Sequence, residues 1–185
     1  MTPDTMTKIS AGLETAFARH GFATPSVEDL RDAASVSLRT LYKYLPSRAD
    51  MVLAALQHRH QRYLAHLFDG LPPNTAPDTT PETALTHLIR RVGSWMQTET
   101  AHGCLFHGAV AADPQNQALK DLLQRHKAEV AQRAASVSSL EGHELALLQI
   151  FEGLTQTWAL HPEASIKTAE HLAGLLQAAK DQART

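Results

Sequence analysis

Ser26-Val27-Glu28-Asp29-Leu30-Arg31-Asp32-Ala33-Ala34-Ser35-Val36-Ser37-Leu38-Arg39-Thr40-Leu41-Tyr42-Lys43-Tyr44 is the stretch that decides the fold. The Ser26 hydroxyl can cap a helix, and Asp29 suits its first turn by complementing the helix dipole. That helix is short, because Ala34-Ser35-Val36-Ser37 reads as a turn. Ser37 then caps a second short helix, Leu38 to Tyr44, which Pro46 stops. Val27, Leu30, Ala33 and Ala34 on the first helix, Val36 in the turn and Leu41 on the second fill one side of the pair. Ser37, Arg39, Thr40, Tyr42 and Lys43 are left pointing outward. Two short helices with the second presented to solvent have the shape that enters a DNA major groove. Thr and Tyr can reach base edges or phosphates, Lys supplies charge, and Arg can read guanine through two hydrogen bonds.

Apolar residues recur at helical spacing almost everywhere along the chain, and strand signals are nearly absent. Ile9, Leu13, Ala16 and Phe17 mark a helix from about Asp4 to His20, closed by Gly21. Ser47-Arg48-Ala49-Asp50 has the form of a capping box, with Asp in place of Glu, and opens a long helix to about Phe68. A proline-bearing loop covers residues 70–78. Thr80-Pro81-Glu82 restarts a helix that reaches about Thr100. Further helices are expected from Leu105 to Ala112, from Asp113-Pro114 to about Val137, over Glu141–Leu160 and over Glu163–Asp181. The reading is all-α with about nine helices: a three-helix helix-turn-helix domain at the N-terminus and a helical domain after it.

The 185 residues and 43% hydrophobic content suffice for a real core. No apolar run approaches a membrane span, and the start lacks a secretory pattern, so a cytoplasmic protein without membrane contact is expected. Cys104 is the single cysteine, which excludes an internal disulfide and fits a reducing compartment. Net charge is −2, unevenly spread. Residues 1–62 hold eight Lys/Arg against six Asp/Glu, and residues 36–62 hold Arg39, Lys43, Arg48, Arg59 and Arg62 against Asp50 alone. A local basic patch on a mildly acidic chain points to a confined anionic contact.

The segment Lys8 to Leu56 resembles the N-terminal domain of the tetracycline-repressor (TetR) family. The residues that carry the likeness are His20-Gly21-Phe22, Ser26-Val27-Glu28-Asp29-Leu30, Val36-Ser37 and Thr40-Leu41-Tyr42-Lys43-Tyr44-Leu45-Pro46-Ser47-Arg48. The resemblance implies that the third helix enters the major groove and that Ser47-Arg48 touches the DNA backbone. Ser26, Ser37, Arg39, Thr40, Tyr42, Lys43, Tyr44, Ser47 and Arg48 are therefore the expected DNA-binding residues. Two positions depart from the family pattern: Ser35 stands where glycine is usual, and Leu45 where phenylalanine is usual. Farther on, Gly103-Cys104-Leu105-Phe106 and Leu119, Leu123, His126-Lys127 look like the C-terminal domain of one TetR subgroup. That likeness implies a ligand cavity among the middle helices and a homodimer built from the last two. Leu147, Leu148, Phe151, Leu154, Thr155 and Trp158 form one apolar stripe there, and Ile166, Ala169, Leu172, Ala173, Leu176 and Ala179 another. Leu148, Thr155, Trp158, Leu172, Ala173 and Leu176 are expected at the interface. Tyr63, His66, Trp95, Met96, Phe106, His107, His126 and Phe151 are expected around a mostly apolar pocket for a small-molecule effector.

Other chemistries find little support. His102-Gly103-Cys104 with His107 offers three potential ligands within six residues, but structural zinc takes four, usually from two separated pairs. Glu99-Thr100-Ala101-His102 lacks the second E-x-x-H of a di-iron bundle. His58 and His60 stand two apart on a helix and face different ways. Cys104 beside His102 or His107 lacks a third group to fix the base of a nucleophilic pair, and no phosphate loop or nucleophile elbow occurs. No metal, no cofactor and no enzyme activity is expected. The expectation is a homodimeric repressor released from a palindromic double-stranded operator by a small molecule, with residues 1–46 reading DNA and 47–185 sensing and dimerising. The rival is a helical sensor or interaction protein without DNA binding.

Overall fold

The computed structural model describes residues 3–71, 81–99 and 103–182, and holds nine α-helices and no strand among them. In chain order they are α1 (Pro3–His20), α2 (Val27–Ala33), α3 (Leu38–Tyr44), α4 (Arg48–Phe68), α5 (Pro81–Glu99), α6 (Leu105–Ala112), α7 (Gln117–Val137), α8 (Glu144–Thr157) and α9 (Pro162–Gln182). The all-α reading holds, and the expected bounds of α3 and α6 are met. The start of α5 at Thr80 and the loop over 72–80 lie outside the described residues.

Local chemistry sets the first four helices. The Ser26 and Asp29 side chains cap α2 reciprocally, and Ser47 and Asp50 do the same for α4. Between α2 and α3, Ser35 stands in the left-handed region at φ +53°. Its N–H bonds the Asp32 carbonyl at 3.0 Å, and the Val36 N–H bonds the Arg31 carbonyl at 3.3 Å. This closure is the one glycine serves best, because a Cβ crowds the backbone there. Ser35→Gly is expected to raise stability by up to about 1 kcal/mol, seen as a higher urea midpoint at unchanged slope. An unchanged or lower midpoint would show that the serine is not strained.

Two expected starts move. α7 begins at Gln117 rather than Asp113-Pro114. The Asp113 N–H still bonds the Ala109 carbonyl at 3.1 Å and closes α6, and the Asn116 side chain caps α7 by accepting the Leu119 N–H at 3.3 Å. α8 begins at Glu144 and stops at Thr157, short of the expected 141–160. Ser139 (φ +52°) and Gly142 (φ +88°) take up a left-handed turn before it, closed by the Leu140 N–H on the Ala135 carbonyl at 2.8 Å. After it, the Leu160 and His161 N–H groups both return to the Thr157 carbonyl, at 3.1 and 2.9 Å.

Packing divides the chain into two compact units. The first comprises Met1–Tyr63 with Thr100–Gln124. Its core gathers Ile9, Leu13 and Phe17 of α1, Leu30 of α2, Leu41 of α3 and Met51 and Leu56 of α4 with Phe106, Ala109, Leu119 and Leu122 of α6 and α7. Burying side chains of that size is worth about 1.5–3 kcal/mol each. The second unit comprises Leu64–Glu99 with Arg125–Thr185. There α5, α8 and α9 pack closely around Gly93, where an added Cβ would stand 2.7 Å from Ile166 Cδ1 and 3.4 Å from the Trp158 ring. The Arg91 guanidinium closes the end of α4 by donating to the Leu67 and Asp69 carbonyls at 2.9 and 2.7 Å.

Candidate nucleic-acid interface

α3 is held by its apolar side. Leu41 is fully buried, and Val36 and Tyr44 pack partly buried against the same core. The opposite side presents Arg39, Tyr42 and Lys43 to solvent, with Tyr42 44% exposed. An exposed tyrosine between two cations is useful surface for a nucleic acid. The Lys43 ammonium lies 5.8 Å from the centre of the Tyr44 ring, within cation–π reach.

Three serines start α2, α3 and α4, and they differ in what they leave free. Ser26 directs both its N–H and its hydroxyl to the Asp29 carboxylate, at 2.8 and 2.7 Å. These hydrogen bonds hold the Asp29 carboxyl below the usual carboxylate range. Ser47 likewise directs its N–H and hydroxyl to the Asp50 carboxylate, at 3.0 and 2.6 Å. Ser37 instead faces Thr40: its oxygen accepts the Thr40 N–H at 3.1 Å and shares a hydrogen bond with the Thr40 hydroxyl at 2.8 Å.

The basic patch expected over residues 36–62 is not one surface. Arg48 turns inward, donating to the Phe22 carbonyl at 2.8 Å with its guanidinium 5.9 Å from the Phe17 ring centre. Arg59 is buried. Arg59 and Arg62 both donate to Glu14 of α1, at 3.0 and 2.7 Å, and His58 Nδ1 lies 2.6 Å from the other oxygen of that carboxylate. Arg39 and Lys43 are the members of the five that remain fully turned to solvent. A count of charges along the chain cannot see direction, and α4 points three of its cations at its own unit.

Two positions on α1 shape this unit without an expected role. The Glu14 side chain is 3% exposed and joins α1 to His58, Arg59 and Arg62 of α4. Gly12 lets α1 lie against the end of α2: a Cβ there would stand 2.7 Å from the Ala33 carbonyl carbon and from the Ala34 Cα, and closer still to the Ala33 oxygen. The one available signal was an acidic residue at a helix position otherwise facing the core, two residues from a mid-helix glycine. A groove of about 620 Å³ runs between α1 and α2, bordered by Thr15, Arg19, Thr24 and Asp32.

The expected effector residues fall in both units. His66, Trp95, Met96, His126 and Phe151 belong to the second, where His66 Nε2 lies 2.8 Å from the Arg91 carbonyl and its ring centre 5.3 Å from that of Trp95. Tyr63, Phe106 and His107 belong to the first, where Phe106 is part of the core. Of the expected interface residues, Thr155 and Ala173 are buried within their own unit, Leu148, Trp158 and Leu176 are half-buried, and Leu172 is 44% exposed. Leu145, Leu160 and Leu175 are more exposed than any of these and were not among the expected set. No group of three or more possible metal ligands stands together among the described residues, and His102 lies outside them. No described helix is long and apolar enough to cross a membrane.

Known proteins share these features. Residues 9–55, from α1 into α4, match the sequence model of bacterial regulatory proteins of the tetR family. No curated protein matches the sequence significantly. Among solved structures, a TetR-family transcriptional regulator from Streptomyces coelicolor is similar at TM-score 0.75 and 17% identity, over 96% of this chain and 91% of that one. A TetR transcription regulator from Haloarcula marismortui gives 0.75 and 18%, over 95% and 97%. Reduced NemR of Escherichia coli gives 0.69 and 17%, over 95% and 96%. At such identities the structures speak for the fold, and the match over residues 9–55 speaks for the helix-turn-helix within it. Residues 9–55 thus carry a segment of the tetR-family type, on a nine-helix fold similar to that of solved TetR-family regulators.

Proposed function

We infer that the chain is a cytoplasmic homodimeric repressor that binds a palindromic double-stranded operator and leaves it when a small molecule binds. Residues 1–46 read the DNA, and residues 47–185 sense and dimerise. The observation that carries this reading is the solvent face of α3, where Arg39, Tyr42 and Lys43 stand together on a helix whose other side is fixed in the core. Arg39, Thr40 and Tyr42 read base edges, while Lys43 holds a phosphate. Ser26, Tyr44, Ser47 and Arg48 complete the DNA-binding set, with Ser47 and Arg48 at the start of α4 meeting the DNA backbone.

Dimerisation uses α8 and α9. Leu145, Leu160, Leu172 and Leu175 are exposed large apolar side chains on or beside these helices, and such exposure in a lone chain marks an interaction surface. A shallow cleft of about 250 Å³ between the two helices, bordered by Gln149, Gly153, Thr168 and Leu172, has room for side chains of a partner helix. Within the second unit, His66, Trp95, Met96, His126 and Phe151 supply the apolar walls and few polar points that suit a small effector. α4 carries the signal, since it is one unbroken helix from Arg48 to Phe68. A displacement at its end reaches Arg48, and through Arg48 the Phe22 carbonyl.

The test is salt dependence on a mixed-sequence duplex. Affinity should fall linearly on logarithmic axes as salt rises, and Lys43→Ala should lower that slope by about 1 at every sequence tried. Absent or salt-independent binding would remove the DNA-binding reading.

A further inference from the structure

α8 and α9 share an outer band that carries almost no charge. None of the exposed residues described between Glu144 and Leu160 is Asp, Glu, Lys or Arg. On α9 the exposed Ala164, Thr168, His171, Leu175 and Ala178 recur at alternating spacings of four and three, which puts them on one seam. Leu172 and Leu175 are 44% and 54% exposed there, and Leu145 and Leu160, at the two ends of α8, are 69% and 76% exposed. The charged side chains are turned or tied elsewhere. Glu163 and Lys167 follow one another on a neighbouring row of α9. Glu170 accepts from Arg90 of α5 at 2.8 Å, and Glu152 of α8 is paired with Lys127 of α7. A band without fixed charge suits a second copy of itself, because a two-fold contact sets each patch against the same patch and like charges would repel.

Two histidines are the exception. His161 borders the cleft between α8 and α9, and His171 stands on the α9 seam between Thr168 and Leu175. Both are exposed in the single chain. Histidine is the side chain that ordinarily changes charge between pH 5 and 8. Neutral, it is a polar ring that a helix interface can hold. Protonated, it is a cation that must shed its water as the band closes. The surrounding charges do not offset this. Lys167 precedes His171 by one turn and is itself positive, while Glu163 lies two places after His161 and so faces another way. α5 brings Arg90, already bound to Glu170, and the exposed His87. α8 brings Glu152, already bound to Lys127. The second copy brings the same band, and with it the same two histidines.

We propose that the α8–α9 dimer is gated by pH: it forms while His161 and His171 are neutral and comes apart as they take up protons. Protonation is free to occur on the exposed rings of the single chain and is opposed in the closed band. The contact therefore has its full strength above the histidine range and loses it as pH falls through that range. A two-fold operator needs two chains, so acid also releases the DNA. The inference rests on the dimer reading above and adds its regulation.

The experiment is sedimentation equilibrium of the full chain from pH 8 to pH 5.5 at fixed ionic strength, with circular dichroism at each pH. Each proton excluded from the dimer raises its Kd by up to about tenfold per pH unit. If one histidine of each chain must stay neutral, Kd should rise about 100-fold over this interval while the helical signal holds, and further if both must. His161→Gln combined with His171→Gln keeps uncharged polar side chains at both places and should cut the rise below about threefold. The titration of the parent decides by itself if the double variant does not fold. A parent Kd that stays constant, or a rise equally steep in the double variant, would overturn the gate and leave the dimer in place. A chain that is single at pH 8 would overturn the gate and the dimer reading together.

Discussion

Glu14→Ala is expected to cost about 3–5 kcal/mol of stability, the range seen when one member of a buried ion cluster is removed. Glu14 is 2% exposed, and its two oxygens serve His58, Arg59 and Arg62 at 2.6, 3.0 and 2.7 Å. The Arg59 side chain is itself 4% exposed, so the alanine leaves a buried cation without the carboxylate that faces it. The Arg62 side chain is 40% exposed and reaches water, so Arg62→Ala should cost about 1 kcal/mol or less. Urea unfolding of the two variants against the parent measures both. Equal and small losses would mean that water or another group replaces the carboxylate, and that the cluster does not hold α1 to α4.

Gly12→Ala should be nearly as damaging, and the sign makes it informative. In a helix interior alanine is favoured over glycine by about 1 kcal/mol, so propensity alone predicts a gain. The added carbon would stand 2.7 Å from two backbone atoms of the α2 terminus, Ala33 C and Ala34 Cα. Backbone cannot rotate aside as a side chain can. Either α2 shifts as a body or the first unit opens, at about 1–3 kcal/mol or more. α2 leads through the Ser35 turn into α3, so duplex affinity should fall more than tenfold even where circular dichroism still reports a folded chain. Parental melting and parental affinity together would show that α1 and α2 have room to spare.

These two positions also show where the sequence was opaque. Caps, turns and stops are local, so α1 to α4 and α6 could be read from neighbours three or four places apart, whereas the special position of Ser35 came from the family likeness, which has glycine there. The shifted starts of α7 and α8 came from turn residues, Asn116 and Gly142, that compete with nearby Asp113 and Glu141 for the same role. Glu14 meets its partners 44 to 48 residues away, and no periodicity records that. The same blindness made a surface patch of Arg48, Arg59 and Arg62. On α8 and α9 the apolar stripes were visible, but which apolar side chains the chain buries against itself was not. Thr155 and Ala173 turn inward while Leu145, Leu160 and Leu175 stay out, a choice set by where α5 packs.

The most direct test of the whole account is the sequence and stoichiometry of the duplex the chain selects from a randomised pool. A two-fold symmetric site, its half-sites about one helical turn or ~34–36 Å apart and bound by two chains, is the expected result. A selected site without symmetry, binding by a single chain, or no selected site at all would contradict it.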